Sequence, residues 1–248
     1  DPVDRQQRMA QMIAALPDTT ARTVNRNEYL RRLNGLTYDQ NPRDGFFRGA
    51  AFFHPDLRLQ VTFPEGWRTA NQRHAVLAQP AGQDALIRLT LEEAASPEAA
   101  VRAFVSQQGV TAGPIRSLST GGLPGANARF TARTEDGVLE GLVGAVELDG
   151  RVYQLLGVAA EVRWASYEAL ANATLASFRR LTDAAVLGVQ PLRLAIVTTD
   201  RAMTLTEFHR RFPSQVSLEV VARINQMEPT AQLRSGQLVK RVIGGPLP

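Results

Sequence analysis

Cysteine is absent from the 248 residues of this sequence. Its absence excludes disulfide bonds, cysteine-based zinc sites and a thiol nucleophile. The sequence also lacks any apolar run that approaches the roughly 20 residues needed to cross a membrane as a helix. We therefore predict no membrane span, while the lack of cysteine fits a bacterial cytosol and a periplasm equally well.

Lysine is almost absent, since Lys240 is the only one. The formal net charge is +4, and the pI is high because arginine does not titrate below about pH 12. The arginine pairs at 31–32, 179–180 and 210–211 are far apart, with acidic residues between them. A nucleic-acid-binding protein usually clusters its basic residues on one stripe, so we predict no nucleic-acid partner.

The sequence has no recognisable export signal at its start. Residues 1–4 read Asp-Pro-Val-Asp, with no basic residue and no apolar stretch. Either a signal has been removed or the chain begins inside a longer protein, and we expect the second.

Histidine is scarce as well. His54, His74 and His209 lie far apart in sequence, and none belongs to a His-Glu-x-x-His or His-x-His pair. Such pairs place two imidazoles on one metal ion, so their absence predicts no metal ligands. We interpret all three histidines as surface or turn residues, and we predict no catalytic residue in this chain.

Two helices are predicted near the N-terminal end. Residues 4–16 and 26–34 carry apolar residues at helical spacing. Asn25 and Glu28 have the spacing of a capping box at the start of the second helix. Gly35 can supply a left-handed stop after it.

Strand-like alternation dominates the middle of the chain. Ser96 and Pro97 start a helix as its cap and first-turn residue. Asp149-Gly150 between apolar runs indicates a tight hairpin turn, as does the segment 135–137. The remaining predicted elements are strands at 57–63, 75–79, 85–92, 126–134, 138–148 and 151–158 and a long helix at 162–178.

These elements predict an α+β fold in three parts. Residues 1–45 form a helical connector, residues 46–182 form an antiparallel sheet with helices packed on it, and residues 191–245 form a small β-α-α-β domain. Residues 183–191 are predicted to be an exposed linker, with a mobile joint near 182–190.

Several segments of the chain resemble one protein family. Residues 1–5 are similar to the His-Pro-x-x-x-Arg segment that follows the peptidase domain in bacterial zinc-dependent proteases of the M48 (Ste24-like) family, although Asp1 stands where that family often has His. The whole chain then corresponds to the C-terminal, non-catalytic region of such a protease. The other segments that carry the resemblance are 29–36, 41–45, 53–57 and 63–67.

The resemblance implies a function for the chain. It implies a non-catalytic accessory or targeting region of an exported, periplasmic protease. The catalytic zinc and its His-Glu-x-x-His motif would then lie in a peptidase domain outside this sequence, so no cofactor is expected here. The implied partners are that peptidase domain and either peptidoglycan or an envelope protein.

The middle part resembles the PsbP/Mog1-type α/β sandwich. The segments that carry this resemblance are Phe-Pro-Glu-Gly-Trp at 63–67, Gly-Arg-Val-Tyr at 150–153 and Ala-Ser-Phe-Arg at 176–179. That fold hosts many binding and accessory roles, so it implies a binding module without naming a ligand.

The tail resembles a LysM module, which is a small peptidoglycan-binding unit. The LysM pattern is matched by Thr204-Leu205, Asn225 and the segment 235–239. The sequence departs from it in two places, because Asp200-Arg201 stands where Gly-Asp is usual and the opening Tyr is missing. In LysM modules the sugar lies between the loop after the first strand and the loop after the second helix. The LysM resemblance therefore implies a possible glycan groove formed by Asp200, Arg201, Met203, Gln226, Met227 and Glu228.

Alternatives to these interpretations stay open. Both methionines of the groove lie near helix ends and fit core packing better, in which case the LysM-like fold serves packing alone. The whole chain is alternatively a stand-alone PsbP/Mog1-like module that binds a small ligand or a protein, or an unrecognised hydrolase. A signal peptide and a His-Glu-x-x-His motif encoded upstream would favour the protease region over the stand-alone module.

We predict that the purified chain holds no stoichiometric zinc and does not cleave casein, because the sequence contains no ligand cluster and no catalytic motif. Elemental analysis after extensive dialysis and a casein-cleavage assay, with a known zinc protease run in parallel, check this. A tightly held zinc ion in each chain would contradict the prediction.

Overall fold

The computed structural model describes residues 2–14, 25–135 and 137–245. The chain forms two compact units. The central unit comprises Thr37–Leu192 with Gly244–Pro248, and the terminal unit comprises Asp1–Leu36 with Arg193–Ile243. Both contain antiparallel sheet and helices, so the predicted α+β class is confirmed.

The helices are short. Among the described residues, no helix is long and apolar enough to cross a membrane. The helices are α1 (Pro2–Ala14), α2 (Arg26–Arg32), α3 (Pro97–Val105), α4 (Glu161–Trp164), α5 (Glu168–Ala176), α6 (Ala184–Leu187), α7 (Leu205–Arg211) and α8 (Leu218–Asn225), with a 3-10 turn at Pro42–Asp44.

The strands divide between the two units. Those of the central unit are β1 (Phe46–Arg48), β2 (Ala51–His54), β3 (Leu59–Thr62), β4 (Arg68–Asn71), β5 (Val76–Gln79), β6 (Ala85–Glu92), β7 (Val110–Ala112), β8 (Arg116–Thr120), β9 (Leu123–Thr134), β10 (Gly137–Leu148), β11 (Arg151–Ala160) and β12 (Arg179–Arg180). Those of the terminal unit are β13 (Arg193–Thr198), β14 (Met203–Thr204), β15 (Gln232–Leu233) and β16 (Leu238–Ile243).

The central unit is built on a large antiparallel sheet. Its strand order is β4-β5-β6-β11-β10-β9-β7, and β8 also pairs with β9. The predicted hairpin β10–β11 is confirmed, and the two predicted strands β5 and β6 also pair antiparallel. Asp149 and Gly150 join β10 to β11 with φ of 53° and 72°, the positive values that a two-residue hairpin turn of this type requires. Of the other predicted turn, residue 136 lies outside the described residues.

Both faces of this sheet are covered. Successive side chains of a strand point to opposite faces. On β10, Val143 and Ala145 belong to a core shared with α3, whereas Leu142 and Val146 belong to the main core on the other face. The central unit therefore has a layer of structure on each side of the large sheet.

The main core also receives side chains from a second, smaller sheet. Its strand order is β1-β2-β3-β12. Phe52, Leu59 and Val61 of this sheet belong to the same buried cluster as Leu89 and Tyr153 of the large sheet. The candidate site described below lies between these two groups of side chains.

Helix α5 lies unusually close to the large sheet. A Cβ atom added at Gly157 of β11 would lie 2.6 Å from the Cβ atom of Ala171, and one added at Gly144 of β10 would lie 2.5 Å from Leu175 Cδ2. A larger residue at Gly157 would push the helix away, and one at Gly144 would displace the side chain of Leu175. The two glycines therefore set the spacing between this helix and the sheet.

The predicted long helix at 162–178 is wrong in one respect, because the structure divides it into α4 and α5. A turn at 165–167 separates them, and the hydroxyl of Tyr167 donates a hydrogen bond of 2.7 Å to Asp84. The break lets Trp164 and the buried face of α5 both join the main core.

Several strands of the central unit differ from the predictions, and the strands that were not predicted are β1, β2, β4, β7, β8 and β12. β3 begins at Leu59 and not at 57, because Arg58 has a φ of 52°, outside the strand region. Strand β4 was not predicted, since all four of its residues are exposed or half-buried and show no clear apolar alternation.

Residues 183–191, predicted to be an exposed linker, instead contain a helix and buried side chains, whereas a mobile joint near 182–190 stays a prediction. The side chain of Asp183 accepts a hydrogen bond of 2.8 Å from the backbone N–H of Ala185 and thereby caps α6. Val186 and Val189 are buried with Phe46, Phe53 and Leu181 in a small core. The segment is part of the central unit because these two valines pack against β1 and β2.

The boundaries between the two units also differ from the domain boundaries predicted at residue 45 and at residues 182–191. Residues 34–36 lie beside β13, with Gly35 N donating to Leu194 O and Leu194 N donating to Leu36 O, both at 2.8 Å. These hydrogen bonds place the end of the predicted connector in the terminal unit. The observed divisions therefore follow Leu36 and Leu192.

The predicted N-terminal helices are present with altered details. Asn25 makes no side-chain capping bond, and Glu28 instead pairs with Arg32 at 2.6 Å. The capping box predicted there is therefore wrong, whereas Gly35 has the predicted positive φ of 84°. For the first helix, residues 15–16 lie outside the described residues.

The terminal unit has the predicted β-α-α-β order, with a small added ladder. β13 pairs antiparallel with β16 from Arg193 opposite Ile243 to Thr198 opposite Leu238, and β14 pairs with β15. Thr204 and Glu207 form a capping box at the start of α7. The residues that form the core of this unit are Met203, Leu205, Phe208, Val221, Ala222, Leu233 and Val239.

We predict that Val186→Ala lowers the free energy of unfolding of the central unit by about 1.5–3 kcal/mol, because two fully buried methyl groups are lost. Val162→Ala is the matched control, since the same change is made where 88% of the residue is exposed. Urea unfolding of both variants measures the difference. Equal stabilities would show that residues 183–191 do behave as a linker.

Candidate ligand-binding pocket

A cavity of about 320 Å³ lies in the central unit, between the small sheet and the edge of the large sheet. Its half-buried wall consists of His54, Leu57, Ala75 and Thr90. Its buried floor is apolar except for one hydroxyl and consists of Phe52, Leu59, Val76, Leu89 and Tyr153. Its exposed rim consists of Asp44, Asn71, Gln72, Arg73, His74 and Leu91.

Strand β2 brings an imidazole to the cavity. Phe52 and His54 are two residues apart on this strand, so both point to the same face. Their rings meet edge to face, with centroids 6.4 Å apart. The alternation that buries Phe52 in the core therefore also directs His54 to the wall of the cavity.

The rim is held by hydrogen bonds between two distant segments. The side-chain amide of Asn71 donates to the carbonyl oxygens of Asp44 at 3.0 Å and Gly45 at 2.8 Å. The β4–β5 turn is closed by Gln72 N donating to Ala75 O at 2.9 Å. These contacts place Arg73 and His74 at the mouth of the cavity.

Tyr153 carries the polar group of the floor. The residue is 2% exposed, and its ring packs on Phe178 with centroids 5.5 Å apart. The hydroxyl is buried and lies close to the side chain of Arg151. Burial raises the pKa of this phenol, and the nearby Arg151 partly opposes that effect. Because the hydroxyl oxygen is inaccessible to solvent, a ligand in the cavity does not reach it.

His54 is the second polar group that faces the cavity. Its Nδ1 accepts a hydrogen bond of 3.2 Å from the backbone N–H of Leu57, which leaves the proton of the neutral ring on Nε2. Burial lowers the pKa of His54, and the carboxylates of Asp56 and Asp44 partly oppose this. The imidazole is therefore neutral at pH 7 and offers one N–H donor.

The chemistry of this cavity suits binding. Pockets for small molecules are mostly apolar, with a few polar groups that fix the orientation of the ligand. Here the apolar floor lies beside one half-buried imidazole, that of His54. Within residues 2–14, 25–135 and 137–245, no three side chains of the kinds that ligate metals converge.

The residues predicted for a glycan groove lie in the terminal unit, where some are buried and others are exposed. Met203 is buried in the core, and Met227 packs against that core. The carboxylate of Asp200 accepts two hydrogen bonds from Arg211, at 2.9 and 2.7 Å. The members of the predicted groove that are exposed are Asp200, Arg201, Gln226 and Glu228.

The structure does bring the two predicted loops of the terminal unit towards each other. Leu205 N donates to Ala231 O at 2.9 Å, and the hydroxyl of Thr206 donates to Pro229 O at 3.1 Å. These bonds fix the second loop against the start of α7, which directly follows the first loop. Glycan binding in this region stays a prediction.

Sequence reasoning missed the cavity of the central unit. His54 and His74 were interpreted as turn or surface residues, and His74 is exposed as expected. The cavity needs β2, the β4–β5 turn, β6 and β11 together, and no local motif joins those segments. The available signal was Tyr153, a polar-tipped residue inside the largely apolar strand β11.

Comparisons with known proteins find similarity in structure alone. No protein-family model matches the chain, and no curated protein matches it either. The solved PsbP protein (CyanoP) of Synechocystis sp. PCC 6803 is 14% identical with a TM-score of 0.43, over 52% of this chain and 91% of that protein.

Two other solved structures are similar at the same level. LpqN of Mycobacterium tuberculosis, described as involved in cell envelope biogenesis, is 13% identical with a TM-score of 0.37, over 65% of this chain and 98% of its own. A Mog1 variant is 9% identical with a TM-score of 0.37, over 56% of this chain and 100% of its own.

PsbP and Mog1 are the two folds that the middle part of the sequence resembles. At such low identities and TM-scores, these matches carry no argument about a ligand or partner. The Ste24-like and LysM resemblances stay predictions.

We predict that the imidazole of His54 titrates below its ordinary pKa of 6.5, because burial disfavours the charged ring. Since the folded pKa is lowered, folding stability falls as pH decreases from 6.5 towards the folded pKa. A proton NMR titration of the histidine ring signals measures the midpoint, and His54→Gln identifies the signal. A midpoint at or above 6.5 would contradict the prediction.

Proposed function

We propose that this chain is a non-catalytic binding module and that the cavity of the central unit holds its ligand. The observation that carries the proposal is the cavity of about 320 Å³, whose buried floor is formed by Phe52, Leu59, Val76 and Leu89 beside the half-buried His54. Cavities of roughly 300–1,000 Å³ are typical of small-molecule sites.

A binding role fits the side chains around the cavity better than catalysis does. Nucleophilic catalysis needs a nucleophile beside a base that a third group orients. Nδ1 of His54 is already occupied by the backbone N–H of Leu57, and the hydroxyl of Thr90 donates to Glu92 at 2.6 Å. We therefore propose that the chain is not itself an enzyme.

The wider context of this module is the second part of the proposal. The resemblance of the chain to the C-terminal region of Ste24-like proteases supports an accessory or targeting role in an exported, periplasmic zinc-dependent protease. The zinc and the catalytic residues would belong to a peptidase domain outside this sequence. In that context the cavity would bring a ligand of the cell envelope next to the peptidase.

The terminal unit would supply a second contact with the envelope. Its β-α-α-β order supports the LysM resemblance, and the exposed residues Arg201, Gln226 and Glu228 are available to a glycan. Because Met203 and Met227 belong to the core, they leave no apolar floor between these residues. We propose at most weak binding of peptidoglycan by this unit.

A stand-alone binding module is the second candidate function. It is favoured by the location of the cavity, which is lined entirely by residues of the central unit. The coding sequence upstream of this chain separates the candidates. A His-Glu-x-x-His peptidase domain encoded there supports the protease region, and its absence supports the stand-alone module.

We predict that the full chain binds the neutral fluorescent probe N-phenyl-1-naphthylamine and that Leu91→Asp weakens this binding at least about tenfold. Leu91 lies at the rim and is 54% exposed, so the carboxylate would border the apolar floor. Val162→Asp is the matched control, because Val162 is 88% exposed and does not line the cavity. Fluorescence titration measures both affinities.

The outcomes of this titration are distinct. Weaker binding to Leu91→Asp alone supports the proposal. Absence of probe binding by the parent chain, or equal loss in both variants, would contradict it. Leu91→Ser, which adds no charge, replaces the first variant if circular dichroism shows that Leu91→Asp does not fold.

A further inference from the structure

We propose that an open cleft in the terminal unit binds a doubly charged phosphate group, carried either by a small molecule or by a lipid head group. The cleft has a volume of about 440 Å³ and lies between residues 26–27 and the segment 234–238. It shares no residue with the cavity of the central unit or with the predicted glycan groove. The proposal therefore adds a second binding site and does not rest on the proposed function.

Positive charge is concentrated at this cleft. Arg26 and Arg234 line it, both are exposed, and neither forms an ion pair with a described residue. Lys240 lies near Arg26, since burial lowers the pKa of this amine and the positive charge of Arg26 lowers it further. Because like charges held near one another repel, an anion bound among them relieves that repulsion, and two negative charges do so more than one.

Two carboxylates near the cleft are engaged by other arginines. Glu28 of α2 forms an ion pair with Arg32 at 2.6 Å. Asp200 approaches the cleft through its backbone, because its carbonyl oxygen accepts a hydrogen bond of 3.0 Å from the hydroxyl of Ser235. Its carboxylate instead accepts two hydrogen bonds from Arg211, at 2.9 and 2.7 Å. Neither carboxylate is therefore left to neutralise the cleft.

The uncharged polar groups of the cleft add donors. A turn closed by Gln237 N donating to Arg234 O at 3.3 Å fixes one side of the cleft, and Gly236 supplies a positive φ of 77° within it. The side-chain oxygen of Gln237 accepts a hydrogen bond of 2.9 Å from the backbone N–H of Arg234, so the amide N–H groups of this side chain are left to donate. The guanidinium groups of the cleft also carry donors only.

A doubly charged phosphate group matches this set of donors. Its oxygens only accept hydrogen bonds, and two of them can bond to one guanidinium group. A carboxylate is also an acceptor but carries a single charge, and an ammonium group would meet charges of its own sign. The volume of the cleft leaves room for the alcohol that carries the phosphate.

Lys240 is the only lysine of the chain, which makes it a specific reporter. Reductive methylation with isotope-labelled methyl groups keeps its charge and gives it an NMR signal that reports its pKa. Inorganic phosphate, glycerol 3-phosphate and acetate are titrated into the full chain at constant ionic strength and about pH 8, where a phosphate ester carries about two negative charges. We expect both phosphates to raise the pKa of Lys240 and to bind at least about fivefold more tightly than acetate.

Substitutions of exposed arginines test whether the cleft is the site. We expect Arg234→Gln to weaken phosphate binding at least about threefold, because one of the lining charges is lost. Arg26→Gln should do the same and also raise the pKa of Lys240 without phosphate, since it removes the repulsion between them. Arg223→Gln is the matched control, because Arg223 is an exposed arginine of the same unit that does not line the cleft.

Vesicles separate the two sources of the phosphate group. The full chain and its variants are sedimented with phosphatidylcholine vesicles that either contain or lack phosphatidate. Sedimentation that needs phosphatidate and is reduced by Arg234→Gln alone supports a lipid head group. Binding of glycerol 3-phosphate without such sedimentation supports a small molecule. Both results support the phosphate site.

Three results would overturn the proposal. The first is that neither phosphate compound moves the Lys240 signal and the vesicles do not sediment the chain. The second is that acetate binds as tightly as phosphate, and the third is that Arg234→Gln and Arg223→Gln weaken binding equally. Because the cavity lies in the central unit, none of these results bears on the proposed function.

Discussion

The central unit depends on one buried layer of side chains that two sheets share. Phe52, Leu59 and Val61 from the small sheet meet Leu89 and Tyr153 from the large sheet, and α4 and α5 complete the same cluster. The small sheet consists of short strands, and β12 has only two residues. It therefore depends on this layer for its position, and the cavity is a gap that the layer leaves unfilled.

The parts of this fold that sequence predicts are those whose signals are local. Strands β10 and β11 are ten or more residues long and are joined by Asp149-Gly150, so their pairing follows from adjacency and turn chemistry. The Ser96 cap of α3 also needs only neighbouring residues, and its 3.2 Å bond to the N–H of Ala99 is present. Both features were predicted for these reasons.

The parts that sequence misses depend on distant partners. Residues 183–191 look like a linker because glycine and proline end a short apolar run, and the packing of Val186 and Val189 on Phe46 and Phe53 leaves no periodic signal. The cavity is missed for the same reason. His54 and Tyr153 are about one hundred positions apart in the chain, and their juxtaposition needs the small sheet to be in place.

The terminal unit is assembled from both ends of the described chain, and this affects the order in which the protein is completed during synthesis. Residues 34–36 leave the ribosome long before β13, with which they form backbone hydrogen bonds. The continuous part of the central unit runs from Thr37 to Leu192, and Tyr38 N donates a hydrogen bond of 2.7 Å to Leu192 O. Domains fold as units as they emerge. The continuous part of the central unit is therefore synthesised before the strand β13 with which residues 34–36 form hydrogen bonds.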